Sequence, residues 1–442
     1  MTVATWRPHP EKLRVALAAA SSERVGVVSS VVGLGVEISG LDCAIGDFVT
    51  IGDARTVEAE VIATTRSGIR CMPLSRLTGI NAGAPARARH TPLLVPTGPS
   101  LFGRVIDGLG HPIDGKGSLR PERMVMLDND SPSAMQRARI HTPLQLGVRV
   151  LDTLTTVGKG QRIGLFAGSG VGKSSLLSMI ARGTDAEVSV IALIGERGRE
   201  VREFLEDDLG PEGLARSIVV VSTSDEPAMM RLRAAFVATR IAESFRDRGA
   251  DVMLMMDSLT RVAMAQREIG LSVGEPPATR GYPPSTFSLL ARLLERAGTG
   301  ESGSVTGIYT VLVDGDDHNE PIADSARSIL DGHVVLDRKL AVSNHFPSVD
   351  PLASISRVAT KVISAEHGQL ATLLRKTLAA RNAAQDLLDV GAYQRGANRL
   401  VDAAVDYEQA INDFLQQRMD DQSTASGAWS QLSRLVGNWE GA

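Results

Sequence analysis

The chain has 442 residues, more than the roughly 250–300 over which a single hydrophobic core keeps growing, so two or three domains are expected. Its 43% hydrophobic and 22% charged residues are ordinary for a globular protein and exclude a disordered, collagenous or coiled-coil chain. The formal net charge of −4 gives no overall field that attracts nucleic acid or an anionic membrane. Binding to either would require a local basic groove.

Two further features bear on the compartment in which the protein works. Cys43 and Cys71 are too few for a disulfide framework, and their spacing does not match a zinc cluster. No apolar run approaches the ~18 residues of a membrane span, and the N-terminus lacks the order of a signal peptide. We therefore expect a cytoplasmic protein.

The elements expected first along the chain are a short helix and a β-rich module. Residues 8–20 begin with Pro8 and Pro10, and the short helix expected after these prolines places Leu13 and Leu17 on one face. From residue 25 to about residue 89 the chain has short β-rich runs punctuated by glycine, for example Val25–Val32 and Val57–Ala63. Closely spaced short strands predict a small sandwich or barrel, and the Pro- and Gly-rich segment that follows marks a boundary near residue 92.

Between about residues 150 and 340 strand-like and helical runs alternate, which predicts an α/β domain with a largely parallel sheet. The expected strands are Arg162–Phe166, Val188–Ile194, Ser217–Val221, Asp251–Met256 and Gly307–Val313. The expected helices include Ser174–Ala181 and Pro227–Arg246. Beyond Val362 apolar residues recur at helical spacing, so the last residues are expected to form a small helical domain.

A phosphate-binding loop is the strongest feature of the sequence. An apolar strand, a glycine-rich turn and a Gly-Lys-Ser that opens an apolar helix follow one another, as a P-loop requires. The predicted nucleotide-binding residues are Gly168, Ser169, Gly170, Val171, Gly172, Lys173, Ser174 and Ser175. The glycines let backbone N–H groups wrap anionic oxygens, Lys173 meets the β- and γ-phosphates, and the Ser174 hydroxyl is the expected Mg²⁺ ligand.

The loop departs from the strict motif at its first position, where Ala167 replaces glycine. A small residue suffices at that position if its φ is negative. A dinucleotide-binding fingerprint is disfavoured, because the third-glycine spacing is missing and a lysine is present.

Two acidic residues are expected near this loop. Asp257 ends an apolar strand, where a carboxylate is suited to holding the water shell of a metal ion. Glu196 follows another buried strand and is placed to orient water for attack on the γ-phosphorus, with Arg197 near the developing charge. Spacing alone leaves open an exposed, salt-bridged loop at Glu196 and Arg197.

Five ordered motifs resemble the type III secretion ATPases, in particular the flagellar protein-export ATPases, which are relatives of the catalytic β subunit of rotary ATP synthases. The motifs are Gly164–Ser174, Leu193–Val201, Gly274–Ser285, Asp314–Asp324 and Pro347–Arg357. The resemblance implies a RecA-like P-loop core with an N-terminal β-barrel and a C-terminal helical domain. The implied segments are a docking segment over 1–24, the barrel over 25–91, the ATPase domain over 92–364 and the helical domain over 365–442.

The resemblance also implies roles for individual residues, in an Mg²⁺-dependent ATPase. Lys173 and Glu196 match catalytic residues, Arg197 and Arg261 match arginines near the γ-phosphate and the metal, and Asp257 matches the aspartate that binds the metal through water. Arg357 matches an arginine finger that reaches across a subunit boundary. Phe346 lies where the synthase relative stacks a tyrosine on adenine, although a core phenylalanine is the alternative.

The implied assembly is a homohexamer that energises export of flagellar proteins. Gly274–Ser285 resembles the pore loop that meets a coiled-coil stalk protein, although its pattern alone favours an ordinary surface loop. The N-terminal segment resembles the docking site of an elongated negative regulator, and the C-terminal domain resembles a region that engages chaperones and export substrates. A peripheral location at the inner-membrane export gate is implied.

Three other functions stay open at the level of sequence. An injectisome ATPase is close to the flagellar family. A subunit that only binds nucleotide is expected to lack a functional Glu196. A RecA-like nucleic-acid translocase is expected to carry aromatic stacking platforms and a basic channel, whereas aromatic residues make up only 4% of this chain, so no nucleic-acid partner is expected.

Overall fold

The computed structural model describes residues 24–89, 92–313 and 320–440. The helix expected over residues 8–20, and residues 314–319 of the fourth motif, lie outside the described residues. The chain divides into two compact units, with the division between Pro92 and Leu93. Among the described residues, no helix is both long enough and apolar enough to cross a membrane.

The first unit contains a closed barrel with strand order β1-β2-β5-β4-β3-β6 within the described residues 24–89. Its strands are β1 (Val25–Val32), β2 (Gly35–Ser39), β3 (Phe48–Ile51), β4 (Val57–Thr65), β5 (Gly68–Pro73) and β6 (Pro85–Arg89). Alternate side chains point into the barrel, so Val36, Val49 and Ile51 are fully buried. Burial also raises the pKa of the Cys71 thiol to about 12, which leaves the thiol protonated and inert.

The second unit is built on a mainly parallel sheet. In the described residues after 92, the strand order is β19-β18-β12-β17-β15-β13-β14-β8, and β16 pairs with β17. The strands of this unit are β7 (Leu94–Thr97), β8 (Val105–Ile106), β9 (Arg123–Met126), β10 (Pro143–Leu144), β11 (Val157–Gly158), β12 (Arg162–Ala167), β13 (Val188–Glu196), β14 (Ser217–Thr223), β15 (Asp251–Asp257), β16 (Gly298–Thr299), β17 (Ser304–Leu312), β18 (Gly332–Leu336) and β19 (Val349–Ser356).

Helices cover the sheet and form the C-terminal region. They are α1 (Arg149–Leu154), α2 (Lys173–Gly183), α3 (Gly198–Glu203), α4 (Gly210–Ala215), α5 (Ala228–Arg246), α6 (Leu259–Ser272), α7 (Pro284–Glu295), α8 (Pro321–Ile329), α9 (Arg338–Val342), α10 (Ala359–Val362), α11 (Ala365–Ala383), α12 (Gln385–Asp389), α13 (Arg399–Asp406), α14 (Glu408–Leu415) and α15 (Ala425–Glu440). A π-helical segment, Phe204–Leu209, joins α3 to α4, and short 3-10 turns lie at Pro99–Leu101 and Thr279–Gly281.

The expected α/β architecture is confirmed. The five expected strands appear as β12, β13, β14, β15 and β17, and the two expected helices appear as α2 and α5. Leu374 of α11 and Ile411 of α14 are buried in the same hydrophobic cluster as Leu177 of α2. The C-terminal helices therefore pack onto the α/β core within one compact unit.

The direction of the strands determines where functional residues can meet. Strands β12, β13, β15, β17 and β18 run parallel, so all of them end at the same edge of the sheet. Strand β19 runs antiparallel to β18, with Ser356 opposite Gly332 at the start of β18. The end of β19 therefore lies at the opposite edge from the ends of the parallel strands.

Candidate nucleotide site

The phosphate-binding loop joins the end of β12 to the start of α2. Gly170 and Gly172 have φ values of 77° and 87°, which glycine adopts without the strain of a Cβ atom. The only non-glycine residues with positive φ in the described part of the chain are Arg280 and Asn344, so Ala167 meets the requirement for negative φ. The N-terminus of α2 places backbone N–H groups and its positive end at the loop, which is the arrangement that binds phosphate.

Side chains from a later part of the chain donate hydrogen bonds to backbone carbonyls of the loop. The Ser348 hydroxyl donates to the carbonyl of Val171 over 2.6 Å, and Arg338 donates to the carbonyl of Ser169 over 3.5 Å. Gly168 and Val171 are buried, whereas Ser169, Gly170 and Ser174 are exposed. The motif around Ser348 marked this segment in the sequence, but no local pattern predicted its contact with the loop.

Lys173, Glu196 and Asp257 meet at the edge where the parallel strands end. The Lys173 ammonium lies 2.5 Å from Asp257 Oδ1 and 3.3 Å from Glu196 Oε1. The side chains of Lys173, Asp257 and Glu196 are 14%, 6% and 16% exposed, in that order, so little water screens their charges. The structure therefore brings the predicted lysine and both predicted carboxylates into one cluster.

Burial and mutual contact determine the protonation of this cluster. Burial opposes the charge of Lys173, but the charges of Asp257 and Glu196 outweigh it and raise the pKa of Lys173. Burial, and then the charge of Asp257, raise the pKa of Glu196 even though Lys173 acts in the opposite direction. Lys173 thus stays cationic near neutral pH, and Glu196 has the raised pKa that suits a proton acceptor.

Asp257 is held in place by a threonine on the neighbouring strand. The buried Thr310 hydroxyl donates to Asp257 Oδ1 over 2.8 Å. Because Asp257 Oδ1 also accepts from Lys173, two donors fix that oxygen and leave the second carboxylate oxygen for a water or a metal-bound water. Sequence reasoning did not find Thr310, because threonine is common in strands and carries no motif.

The structure places the two predicted arginines near Glu196 differently. The side chain of Arg261 packs over Gly195, where a Cβ atom would lie 2.9 Å from it, and its Nε is buried without a hydrogen-bond partner. Arg197 is 76% exposed and pairs with Glu200 over 2.9 Å. Arg261 therefore lies against the residue before Glu196, whereas the guanidinium of Arg197 points into solvent.

A cavity of about 240 Å³ adjoins the loop at Gly172 and Ser175. Its walls include Leu176, Met179, Phe346 and Met419, and the ring of Phe346 lies over Gly172. Gln417 lines the cavity, but its amide already bonds to Gly147, Arg149 and Asp421. The C-terminal contribution to this cavity was not predicted from the sequence.

Arg357 is not part of this cluster. It follows β19 at the opposite edge of the sheet, is exposed, and donates from Nη2 to the carbonyl of Arg327 over 3.3 Å. Strand β12 separates that edge from the P-loop and has six residues, which span about 20 Å. We find that Arg357 stands apart from the phosphate loop of its own chain.

Two family models match consecutive parts of the chain. Residues 147–356 match the ATP synthase alpha/beta family, nucleotide-binding domain. Residues 363–434 match the T3SS EscN ATPase C-terminal domain. The fold and the site thus define a nucleotide-binding ATPase of the ATP synthase alpha/beta class.

Individual relatives cover nearly the whole chain. The chain is 50% identical to the flagellum-specific ATP synthase of Bacillus subtilis over 424 residues, 95% of this chain and 97% of the relative. It is 48% identical to the type 3 secretion system ATPase of Xanthomonas euvesicatoria over 420 residues, 94% of this chain and 95% of the relative. The assembled ATPase EscN of enteropathogenic E. coli superposes with a TM-score of 0.89 at 42% identity, over 93% of this chain and 100% of that chain.

The chain belongs to the family of flagellar and type III secretion ATPases. It binds ATP and hydrolyses it. The resemblance recognised from the five sequence motifs is therefore confirmed.

Proposed function

We propose that this ATPase works as a homohexamer with its active sites between subunits, and that it energises export of flagellar proteins. The observation that carries the proposal is the separation of Arg357 from its own phosphate loop. An exposed arginine at the far edge of the sheet is available to the phosphate site of a neighbouring subunit. An arginine finger supplied in this way makes hydrolysis depend on assembly.

Within one site, the charged residues divide between activating water and binding the phosphates. Glu196 orients the attacking water and accepts its proton, and Lys173 turns from its two carboxylates to the β- and γ-phosphates when ATP binds. Arg261 is fixed beside Glu196 by its packing over Gly195 and supplies positive charge near the γ-phosphate. Arg197 adds a second positive charge near the γ-phosphate once its side chain has left Glu200.

The residues present fit a magnesium ion. Ser174 offers an exposed hydroxyl at the start of α2, and Asp257 has one carboxylate oxygen left to hold a metal-bound water. Hydroxyl, carboxylate, water and phosphate oxygens are the ligands that Mg²⁺ prefers. Bound there, Mg²⁺ would neutralise charge on the β- and γ-phosphates.

The apolar cavity beside the loop is proposed to hold the base of the nucleotide. Phe346 is 39% exposed and presents its ring at Gly172, so a base can stack on it. Met179 and Met419 supply adaptable apolar walls. The amide of Gln417 is already bonded, so stacking and apolar contact dominate over hydrogen bonding in holding the base.

The loop Gly274–Ser285 is proposed to contact a coiled-coil stalk protein in the central pore. Residues 276–280 are exposed, while Glu275 fixes the end of the loop by accepting from the backbone N–H of Ser285 over 2.9 Å. A solved structure of EscN in complex with its central stalk EscO superposes on this chain with a TM-score of 0.87 at 42% identity, over 93% of this chain and 100% of that chain, and supports a stalk protein as a partner. Contacts with a regulator, chaperones, substrates and an inner-membrane export gate complete the proposal.

The flagellar assignment is tested by export in the source bacterium. Deleting the gene should stop secretion of hook and filament proteins and abolish motility, and the wild-type copy should restore both. A Glu196→Gln copy, which keeps the fold, should restore neither. If motility persists and secretion of virulence effectors is lost, the chain is an injectisome ATPase instead.

A further inference from the structure

A buried glutamine connects the strand of the phosphate loop to the backbone beside Arg357. Gln161 precedes β12 and is 0% exposed. Its Oε1 accepts from the backbone N–H of Gly158 over 2.9 Å. Its Nε2 lies 3.1 Å from both the carbonyl of Asp331 and the hydroxyl of Ser356. A buried amide with this many partners has one orientation.

The same carbonyl also holds the backbone of Arg357. The N–H of Arg357 donates to the carbonyl of Asp331 over 3.0 Å, so Gln161 and Arg357 share one acceptor. The carboxylate of Asp331 is fixed in turn by Arg162, whose backbone N–H and Nε both lie 3.1 Å from Oδ2. Gln161 and Arg162, where β12 begins, therefore hold both Ser356, which precedes Arg357, and Asp331, which accepts from the backbone N–H of Arg357.

The strands pack closely against each other at Gly332. A Cβ atom on Gly332 would lie 2.4 Å from the carbonyl oxygen of Ile355 and 3.3 Å from Gln161 Nε2. Strand β18 thus touches β19 closely where Ser356 pairs with Gly332. A displacement of the Gln161 amide would therefore disturb its hydrogen bond to Ser356, the residue before Arg357.

We propose that Gln161 is a positioning residue for Arg357, and hence acts on hydrolysis in the neighbouring subunit and not in its own. The inference rests on the proposed role of Arg357 as an arginine finger. Strand β12 then leads into the phosphate loop of its own site at one end, and Gln161 at its other end holds Arg357, which acts in the neighbouring site. The rival role, in which Gln161 supports the phosphate loop of its own chain, makes the opposite prediction in mixed assemblies.

The first test is a pair of homogeneous variants. Gln161→Leu keeps the size and burial of the side chain but removes the bridge to Ser356 and Asp331. We expect kcat to fall about tenfold or more with the KM for ATP within about twofold, because a finger acts in the transition state. The matched control is Lys159→Ala in the same turn, whose ammonium pairs with Asp251 and not with β19, and it should retain wild-type kcat.

The decisive test is mixing. Gln161→Leu chains mixed with Lys173→Ala chains should regain activity, because a Gln161→Leu phosphate loop then meets an intact finger. Gln161→Leu chains mixed with Arg357→Ala chains should regain none, because every finger is defective. Recovery in the second mixture and none in the first would overturn the proposal and place the effect of Gln161 in its own site.

A second variant and a third mixture distinguish a misfolded Gln161→Leu protein from a wrong role for Gln161 or for Arg357. If Gln161→Leu does not fold, Ser356→Ala removes only the bridging hydroxyl and should show the same pattern of recovery with a smaller loss of kcat. Arg357→Ala mixed with Lys173→Ala tests the finger itself. Recovery there, without recovery for Gln161→Leu or Ser356→Ala with Lys173→Ala, refutes the role of Gln161 and leaves the proposed function standing.

Discussion

Glu196→Gln is expected to lower ATP turnover by about 100-fold or more while ATP binding persists. The amide keeps the shape of the side chain but cannot accept the proton of the attacking water. Lys173 remains paired with Asp257 over 2.5 Å, so the phosphate loop stays intact. Steady-state phosphate release and equilibrium binding of a fluorescent ATP analogue measure the two quantities.

Glu203→Gln is the matched control for this variant. Glu203 is 50% exposed at the end of α3 and pairs with Arg199, so its loss should leave turnover unchanged. Unchanged turnover in folded, ATP-binding Glu196→Gln protein would contradict the assignment of Glu196. It would also favour a subunit whose chemistry depends on another carboxylate.

The pH dependence of kcat/KM for ATP tests the role of Glu196 independently. Because burial and Asp257 raise the pKa of Glu196, the carboxylate is lost as pH falls through a value above the ordinary one of about 4.3. The acid limb of kcat/KM for ATP should therefore lie above that value in folded protein. An acid limb at or below it would show that Glu196 does not limit hydrolysis.

Arg357→Ala is expected to lower kcat by about 1,000-fold with ATP binding retained, which is the effect of removing an arginine finger. In the proposed hexamer, each finger serves the next subunit. An equal mixture with Lys173→Ala chains should regain about a quarter of wild-type activity, because that share of interfaces pairs an intact loop with an intact finger. Activity is measured on mixed hexamers purified through two different tags.

Lys361→Ala is the control for the loss of an exposed cation in the same region. Lys361 is exposed on α10 and should retain full activity, alone or in mixtures. No recovery in verified mixed hexamers of Arg357→Ala and Lys173→Ala would count against action across the interface. Full activity of Arg357→Ala alone would show that Arg357 is not an arginine finger.

The sheet and the phosphate loop were predictable because their causes are local. Apolar runs of strand length gave β12, β13 and β15, and the positive φ values of Gly170 and Gly172 follow from what a phosphate loop demands of its backbone. Strand order and parallel direction then bring Glu196 and Asp257 to Lys173. Glu196 and Asp257 were visible because each ends a strand, and Lys173 was visible because it opens the helix after a glycine-rich turn.

The supports of the site were not predictable because they depend on distant pairing. Ser348 contacts Val171 across 177 positions, and Gln161 contacts Ser356 across 195. Gln417 reaches the cavity beside Phe346 from the segment between α14 and α15. Serine and glutamine carry no pattern of their own, so only the folded chain reveals their partners.

The most direct measurement of the central claim is specific ATPase activity against protein concentration, with the oligomeric state followed in parallel by light scattering or mass photometry. If the active site lies between subunits, activity per chain should rise with the fraction of chains in hexamers and be nearly absent in monomers. Specific activity that stays constant from monomer to hexamer would contradict the account, because a single chain would then hold a complete site.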